Sequence, residues 1–302
     1  MCSKVTPEFY RPQMSAAGLS PVHRVVVLDQ SGNPTELWIP GEAPLTIKVD
    51  NNEIVTLMTL GTHPEELALG YLRNQNLIEN IDEINSVSVN WEKEVVNIFT
   101  KHGKGIADFE RKLSKLTVTS GCGQGTIFSC TIDKIYELRF PGTTVRQSAI
   151  YELLKKIIPY NKVYRQAGSV HGCGLCKEDQ VIMFVEDVGR HNAADAISGR
   201  MWLDRIPGED KILFSTGRLT SEIVMKSAHM RIPVLLSRSG VTQMGLELAQ
   251  DLGITVIGRA KGKRLFVYNG GENIIFDSHP IANRKMKRAK KSSTLGTSTT
   301  KS

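Results

Sequence analysis

Apolar and polar positions along this chain follow two rhythms, and the change from one to the other divides it. From Val22 to Ile39 apolar residues alternate with polar ones on either side of Ser31-Gly32-Asn33-Pro34, a turn composition, so the period of two predicts a hairpin. A second hairpin is expected where Leu45 to Val49 and Ile54 to Leu60 flank Asp50-Asn51-Asn52. Thr62-His63-Pro64-Glu65 then has the spacing of a capping box, with proline at the start of a helix through Leu67, Leu69 and Leu72. Strands are expected at Ile84 to Val89 and Val95 to Phe99, followed by helical spacing over 106–113. This half reads as a small α+β unit.

Past the linker composition of Pro141 to Thr144 the rhythm changes. Gln147 to Ile158 has helical spacing through Ile150, Leu153, Leu154 and Ile157. Val181 to Val185 is a continuous apolar run, which suits a strand buried on both faces of a parallel sheet. A helix from Asn192, with that residue as cap, comes next. Strand Ile212 to Ser215, helix Ser221 to Met230, strand Val234 to Leu236, helix Thr242 to Leu252 and strand Thr255 to Ile257 then alternate, and Leu265 to Tyr268 and Ile274 to Phe276 close the series. Strands alternating with short helices predict a largely parallel sheet with helices on both faces. The expected organisation is an extension over 1–20, an α+β domain over 21–140, an α/β domain over 141–280 and a tail over 281–302.

Composition narrows the class. A chain of 302 residues with 40% apolar content is long enough for two ordinary cores. No run approaches the roughly 18 apolar residues of a membrane span, and Met1 to Ala17 lacks the apolar centre of a secretory signal, so a cytoplasmic protein is expected. Five cysteines at irregular spacing do not read as a disulfide framework; reactive or metal-binding thiols fit better. The net charge of +7 has a local origin: from Asn283 onward seven lysines and arginines occur with no acid. That tail, poor in apolar residues, is expected to be disordered and solvated, and the neutral remainder gives no reason to invoke nucleic acid.

Five stretches carry candidate chemistry. Glu186-Asp-Val-Gly-Arg-His-Asn192 follows a strand, and ligands of open α/β sheets bind just beyond the strands' carboxyl ends. In the plain alternative, Glu186 or Asp187 pairs with Arg190 to pin the turn. In Thr117-Val-Thr-Ser-Gly-Cys-Gly-Gln-Gly-Thr126, three glycines around Cys122 predict a mobile loop that leaves the thiol uncrowded, whereas Cys130, beside Phe128 and Ile132, reads as core. Ser215 to Thr220 joins a strand to a helix and offers hydroxyls, Arg218 and free N–H groups to a phosphate. Arg259, Ala260, Lys261, Gly262, Lys263 and Arg264 gather four cations around a glycine after a strand, a clamp suited to a diphosphate or, more plainly, a solvated turn. His171-Gly-Cys173-Gly-Leu-Cys176 raises zinc as a rival, but the second pair of ligands a closed site needs is missing, and no metal is expected.

Together these residues resemble the FdhD family, the formate dehydrogenase accessory sulfurtransferases. The likeness runs from about Val22 to Tyr268 and rests on the Ser120-Gly-Cys-Gly-Gln-Gly125 loop, His171, the Glu186 to Asn192 segment, Ser215-Thr-Gly-Arg218 with Glu222, and Gly258 to Tyr268. The resemblance implies a cytidine-deaminase-like three-layer fold in the larger domain, a cytoplasmic homodimer, and a sulfur carrier. Its members take persulfide sulfur from a cysteine desulfurase and pass it to a molybdenum (or tungsten) bis(guanine dinucleotide) cofactor destined for formate dehydrogenase. That cofactor would be a bound client, with none held permanently. Cys122 falls on the family's persulfide position and Arg259 to Arg264 on its cofactor-binding segment, while His171, Arg190 and His191 are expected to line the pocket. Members often read Cys-Gly-x-Cys in the loop; here Gly125 takes the second position, so a resolving thiol would have to be Cys173 or Cys176, if the fold brings either near. Two rivals stay open: a cofactor chaperone without covalent chemistry, and a zinc-dependent nucleoside deaminase, which would need His-x-Glu where this chain has His171-Gly-Cys173.

Overall fold

The structure, a computed structural model, describes residues 9–106, 135 and 138–278, and the backbone of 116–119 and 125–128. The strands are β1 (Gln13–Met14), β2 (Val22–Leu28), β3 (Pro34–Pro40), β4 (Ala43–Val49), β5 (Asn52–Thr59), β6 (Ile84–Asn90), β7 (Val95–Thr100), β8 (Leu116–Thr119), β9 (Gly125–Phe128), β10 (Val145–Arg146), β11 (His171–Lys177), β12 (Gln180–Asp187), β13 (Ile212–Ser215), β14 (Val234–Ser237), β15 (Thr255–Lys261), β16 (Arg264–Asn269) and β17 (Ile274–Ile275). Among the described residues the α-helices with both ends placed are α1 (Pro64–Asn74), α2 (Gln147–Lys156), α3 (Lys162–Ala167), α4 (Arg190–Leu203), α5 (Ser221–His229) and α6 (Gln243–Leu252).

Both expected hairpins form, β2 with β3 and β4 with β5, and a five-stranded mixed sheet runs β1-β6-β7-β4-β5. The larger sheet runs β12-β11-β13-β14-β15-β16. Its middle three strands, β13 to β15, are parallel, while β11, β12 and β16 are antiparallel to their neighbours, so the sheet is mixed rather than largely parallel. Alternate side chains of the parallel strands serve two cores. Leu213, Leu235 and Val256 face α4, α5 and α6, whereas Ile212, Phe214, Val234, Leu236 and Ile257 face α2 on the other side. Helices therefore cover both faces, as the alternation of elements predicts.

Three expectations need correction. Val181 to Val185 belongs to β12, an edge strand with Ile182 exposed, because a chain reversal at Lys177–Gln180 returns it antiparallel to β11. The final strand β17 leaves the larger sheet and pairs in parallel with β10. The helix after His63 forms, with Pro64 in its first turn, but no capping box closes it. Glu65 is buried and accepts hydrogen bonds from Ser15 Oγ (2.6 Å) and Ala17 N (3.0 Å) instead, tying the N-terminal strand region to α1.

One crossing joins the two sheets. α1 lies against α4 so closely that a Cβ on Gly70 would sit 1.7 Å from Asp195 O, and one on Gly199 would sit 1.9 Å from Glu66 O. Only glycine permits this approach. It brings Asn74 to the buried Asp195, whose Oδ1 accepts from Asn74 Nδ2 (2.7 Å), while Lys226 Nζ lies 2.5 and 2.7 Å from the two carboxylate oxygens. The same hydrophobic core runs from β4 and β7 through α1 and α4 to β13. The expected helix over 106–113 and the tail over 281–302 lie outside the described residues, apart from Ile106.

Candidate functional site

The three parallel strands end together, and the antiparallel ladders bring two more strand ends to the same edge: Cys173 stands opposite Ser215, and His171 opposite Asp187. Four connections consequently gather at one end of the larger sheet: Asp187 to Arg190, Thr216 to Thr220, Arg238 to Thr242, and the turn from Lys261 to Arg264. This is the carboxyl end at which α/β sheets bind ligands.

Most polar groups in the first connection hold the scaffold. Asp187 Oδ2 accepts from Thr59 Oγ1 (2.6 Å) and Leu60 N (3.1 Å), and its Oδ1 accepts from Gly189 N (3.0 Å) and Asn192 Nδ2 (2.9 Å). Burial nonetheless pushes the Asp187 carboxyl above its ordinary pKa. Glu186 accepts from Val163 N (2.8 Å) and Tyr164 N (2.9 Å) and so anchors the first turn of α3. Asn192 does not cap: α4 begins at Arg190 after Gly189, and the Asn192 amide donates to Met58 O (2.7 Å) as well as to Asp187. The charge pair expected to pin this turn is replaced by Asp187's bonds to neutral donors.

Arg190 and His191 are what the scaffold leaves for chemistry. Arg190 is 4% exposed, its side chain lies along Gly217, and its Nε and Nη2 have no hydrogen-bond partner. His191 Nε2 is 2.5 Å from Glu222 Oε2, close in distance although not aligned as a hydrogen bond. Burial lowers the His191 pKa despite that carboxylate, and burial also lowers His171, helped by the charges of Arg190, His191 and Arg218. For Glu222 burial acts upward, but His191, Lys226 and Arg190 outweigh it and the carboxyl ends below its ordinary value. Burial thus holds the His171 and His191 imidazoles toward the neutral form, while the neighbouring cationic groups hold Glu222 toward the ionised one.

The second connection is partly self-satisfied. Thr216 Oγ1 accepts from Gly172 N (3.0 Å), Ser215 Oγ from Gly217 N (3.1 Å), and Ser237 Oγ donates to Gly217 O (2.6 Å). Ser215 and Thr216 thus accept from the turn's backbone and keep their O–H donors. Arg218 is exposed, and the buried Thr220 Oγ1, at the start of α5, has no partner.

The cationic turn lies at the same end, with Arg259, Lys261, Gly262, Lys263 and Arg264 all exposed. Ala260 was expected in the clamp, but it is wholly buried in the second core, so the structure does not bring it to the turn's surface. Arg259 N donates to Ser239 O (2.7 Å), and the Arg264 guanidinium lies 5.3 Å from the Phe266 ring centroid. Three strand steps separate β15 from β11, roughly 14 Å at the usual spacing, so His171 and this turn bracket one end of the sheet.

Cys173 and Cys176 face opposite ways. Three positions apart on β11, they fall on opposite faces by the strand's ordinary alternation, Cys173 with Leu175 in the first core and Cys176 in the second, both fully buried, and burial pushes each thiol up to about 12. They cannot converge on one cation, and neither supplies a thiolate at neutral pH, which removes both as resolving partners. Cys122 and Cys130 lie outside the described residues. The strands around Cys122 pair, Thr119 with Gly125, so the segment expected as loop over 117–126 is strand at both its ends. Thr220 was expected only as one hydroxyl of the Ser215 to Thr220 junction and Glu222 only as part of the family likeness; the sequence signal for a closer role was the Glu222/Lys226 spacing, which sets both on one face of α5.

Fold and site define a mixed α/β protein with a cation-rich ligand end on its larger sheet. The chain belongs to the FdhD/NarQ family, whose sequence model matches residues 40–275. It is 32% identical over 247 residues to the sulfur carrier protein FdhD of Listeria monocytogenes, covering 79% of this chain and 92% of that one. It is 28% identical over 240 residues to the sulfur carrier protein FdhD of Bacillus subtilis, with 79% and 87% covered. The crystal structure of a protein from Desulfotalea psychrophila, described as a formate dehydrogenase accessory protein, superimposes with a TM-score of 0.67 at 25% identity, over 84% of this chain and 98% of that one. Among the described residues no helix is long and apolar enough to cross a membrane.

Proposed function

We propose that this chain is a sulfur carrier that takes persulfide sulfur from a cysteine desulfurase on Cys122 and delivers it to a molybdenum bis(guanine dinucleotide) cofactor serving formate dehydrogenase. In the loading step the Cys122 thiolate attacks the terminal sulfur of the donor's persulfide. A new S–S bond forms on Cys122, and the electron pair of the broken bond leaves with the donor's cysteine thiolate. In delivery an acceptor's electron pair attacks that terminal sulfur and Cys122 returns to thiolate. The cofactor is cargo. Arg259, Lys261, Lys263 and Arg264, with the backbone of Gly262, hold its phosphates, and His171, Arg190 and His191 line its pocket. We read the six-stranded sheet with helices on both faces as a cytidine-deaminase-like three-layer domain over 141–280, beside the smaller α+β domain over 21–140. The protein acts as a cytoplasmic homodimer.

The observation that carries this reading is that the buried, unpartnered Arg190 guanidinium and the exposed cationic turn lie at the same end of one sheet, in a chain 32% identical to a sulfur carrier protein. Incubation of the purified chain with a cysteine desulfurase and cysteine is expected to add one sulfur atom to the intact mass, on Cys122 by peptide mapping. The adduct should disappear in Cys122→Ala; sulfur retained by that variant removes Cys122 as the carrier.

A further inference from the structure

The first turns of α4 and α5 share an unusual feature: each starts without a side-chain cap, and each carries a buried polar group with no protein partner. On α4 that group is the Arg190 guanidinium, and on α5 it is the Thr220 hydroxyl, 7% exposed. A buried donor left unsatisfied is costly, so a group that supplies acceptors should complete it.

We propose that Arg190 and Thr220 form an oxyanion subsite for a phosphate group, separate from the turn at 259–264. Nε and Nη2 are the two donors on the outer side of the guanidinium, and side by side they match two oxygens of one phosphate. Both helices direct the positive ends of their dipoles to the same place, which favours an anion over a neutral acceptor. Gly217 is the seat of the fork: a Cβ there would stand 2.6 Å from Arg190 Cδ and displace it. This inference rests on the proposed pocket and specifies which part of the cargo enters it; free phosphate offers the same chemistry.

Calorimetric titration of the full-length chain with GDP, and separately with inorganic phosphate, tests it. Arg190→Lys keeps the charge and loses the fork, and is expected to weaken GDP binding roughly ten- to a hundred-fold. Gly217→Ala, which leaves Arg190 chemically intact, should weaken it as well, so a misfolded Arg190 variant does not decide the matter. Phosphate that binds the wild type and competes with GDP assigns the subsite to any phosphate. Phosphate that fails to compete, with GDP still weakened in both variants, assigns it to the nucleotide's own. GDP affinity unchanged in folded Arg190→Lys and Gly217→Ala overturns the proposal, even if Lys261→Ala/Lys263→Ala abolishes binding. Sulfur loading of the wild type is a separate readout: its failure would remove the carrier reading and leave the phosphate result standing.

Discussion

At the scale of single residues, the contrast between Asp187 and Arg190 is the most instructive. They stand three positions apart in one polar turn, yet Asp187 accepts four hydrogen bonds from the scaffold and Arg190 Nε and Nη2 donate to no partner among the described residues. The sequence marks the turn as a site, because five polar groups exceed what a simple turn needs. It could not sort them, since the donors to Asp187 at Thr59 and Leu60 come from a distant strand. The cysteine pair misleads in the opposite direction: Cys-x-x-Cys suggests convergence, but on a strand residues three apart face opposite sides, so the two thiols enter different cores. Cys173→Ala with Cys176→Ala should therefore load sulfur as the wild type does, measured by intact mass. Beneath the pocket, Lys226→Met would strand the buried Asp195 carboxylate. It is expected to cost about 3–5 kcal/mol in a urea titration, and a loss under 1 kcal/mol would show that the pair is not load-sharing.

At the scale of elements, type and order were legible and partnership was not. The hairpins, α1, α2, α5, α6 and strands β13 to β15 follow from apolar period and turn residues close to where they are found. Strand direction does not, because a run such as Val181 to Val185 has the same composition at an antiparallel edge as in a parallel centre. The capping-box spacing at Thr62 to Glu65 was also ambiguous: once Glu65 is buried against Ser15 and Ala17, it is unavailable to its own helix. Gly70 and Gly199 carry the crossing of α1 and α4, a role no local pattern announces. Gly199→Ala places a methyl group where Glu66 O sits. Overpacking of this kind typically costs about 1–3 kcal/mol, and backbone contact puts this site at the upper end. An unchanged denaturation midpoint would mean that the helices part without penalty.

At the scale of the whole molecule, the argument concerns one end of one sheet. Mixed topology turns out to help: because β11 and β12 run against β13, His171 and Asp187 arrive where the parallel strands finish. Sequence alone supplied the ingredients of that end, His171, Arg190, His191 and Arg259 to Arg264, but its assembly depends on strand order. The buried histidines also give the molecule a pH signature. His171 and His191 titrate below their ordinary 6.5 when folded, so the unfolded chain takes up protons first as the pH falls. Stability should be fully present above about pH 6.5 and decline as the pH drops toward their lower folded values. The decline should be shallower in His171→Asn, read from urea midpoints between about pH 5 and 7.

The central claim is that sulfur travels on Cys122, with the buried cysteines only structural. Formate dehydrogenase activity in cells whose sole copy of this protein is Cys122→Ala, compared with Cys173→Ala/Cys176→Ala, tests that most directly. The account predicts activity lost in the first and kept in the second; full activity with Cys122→Ala would contradict it.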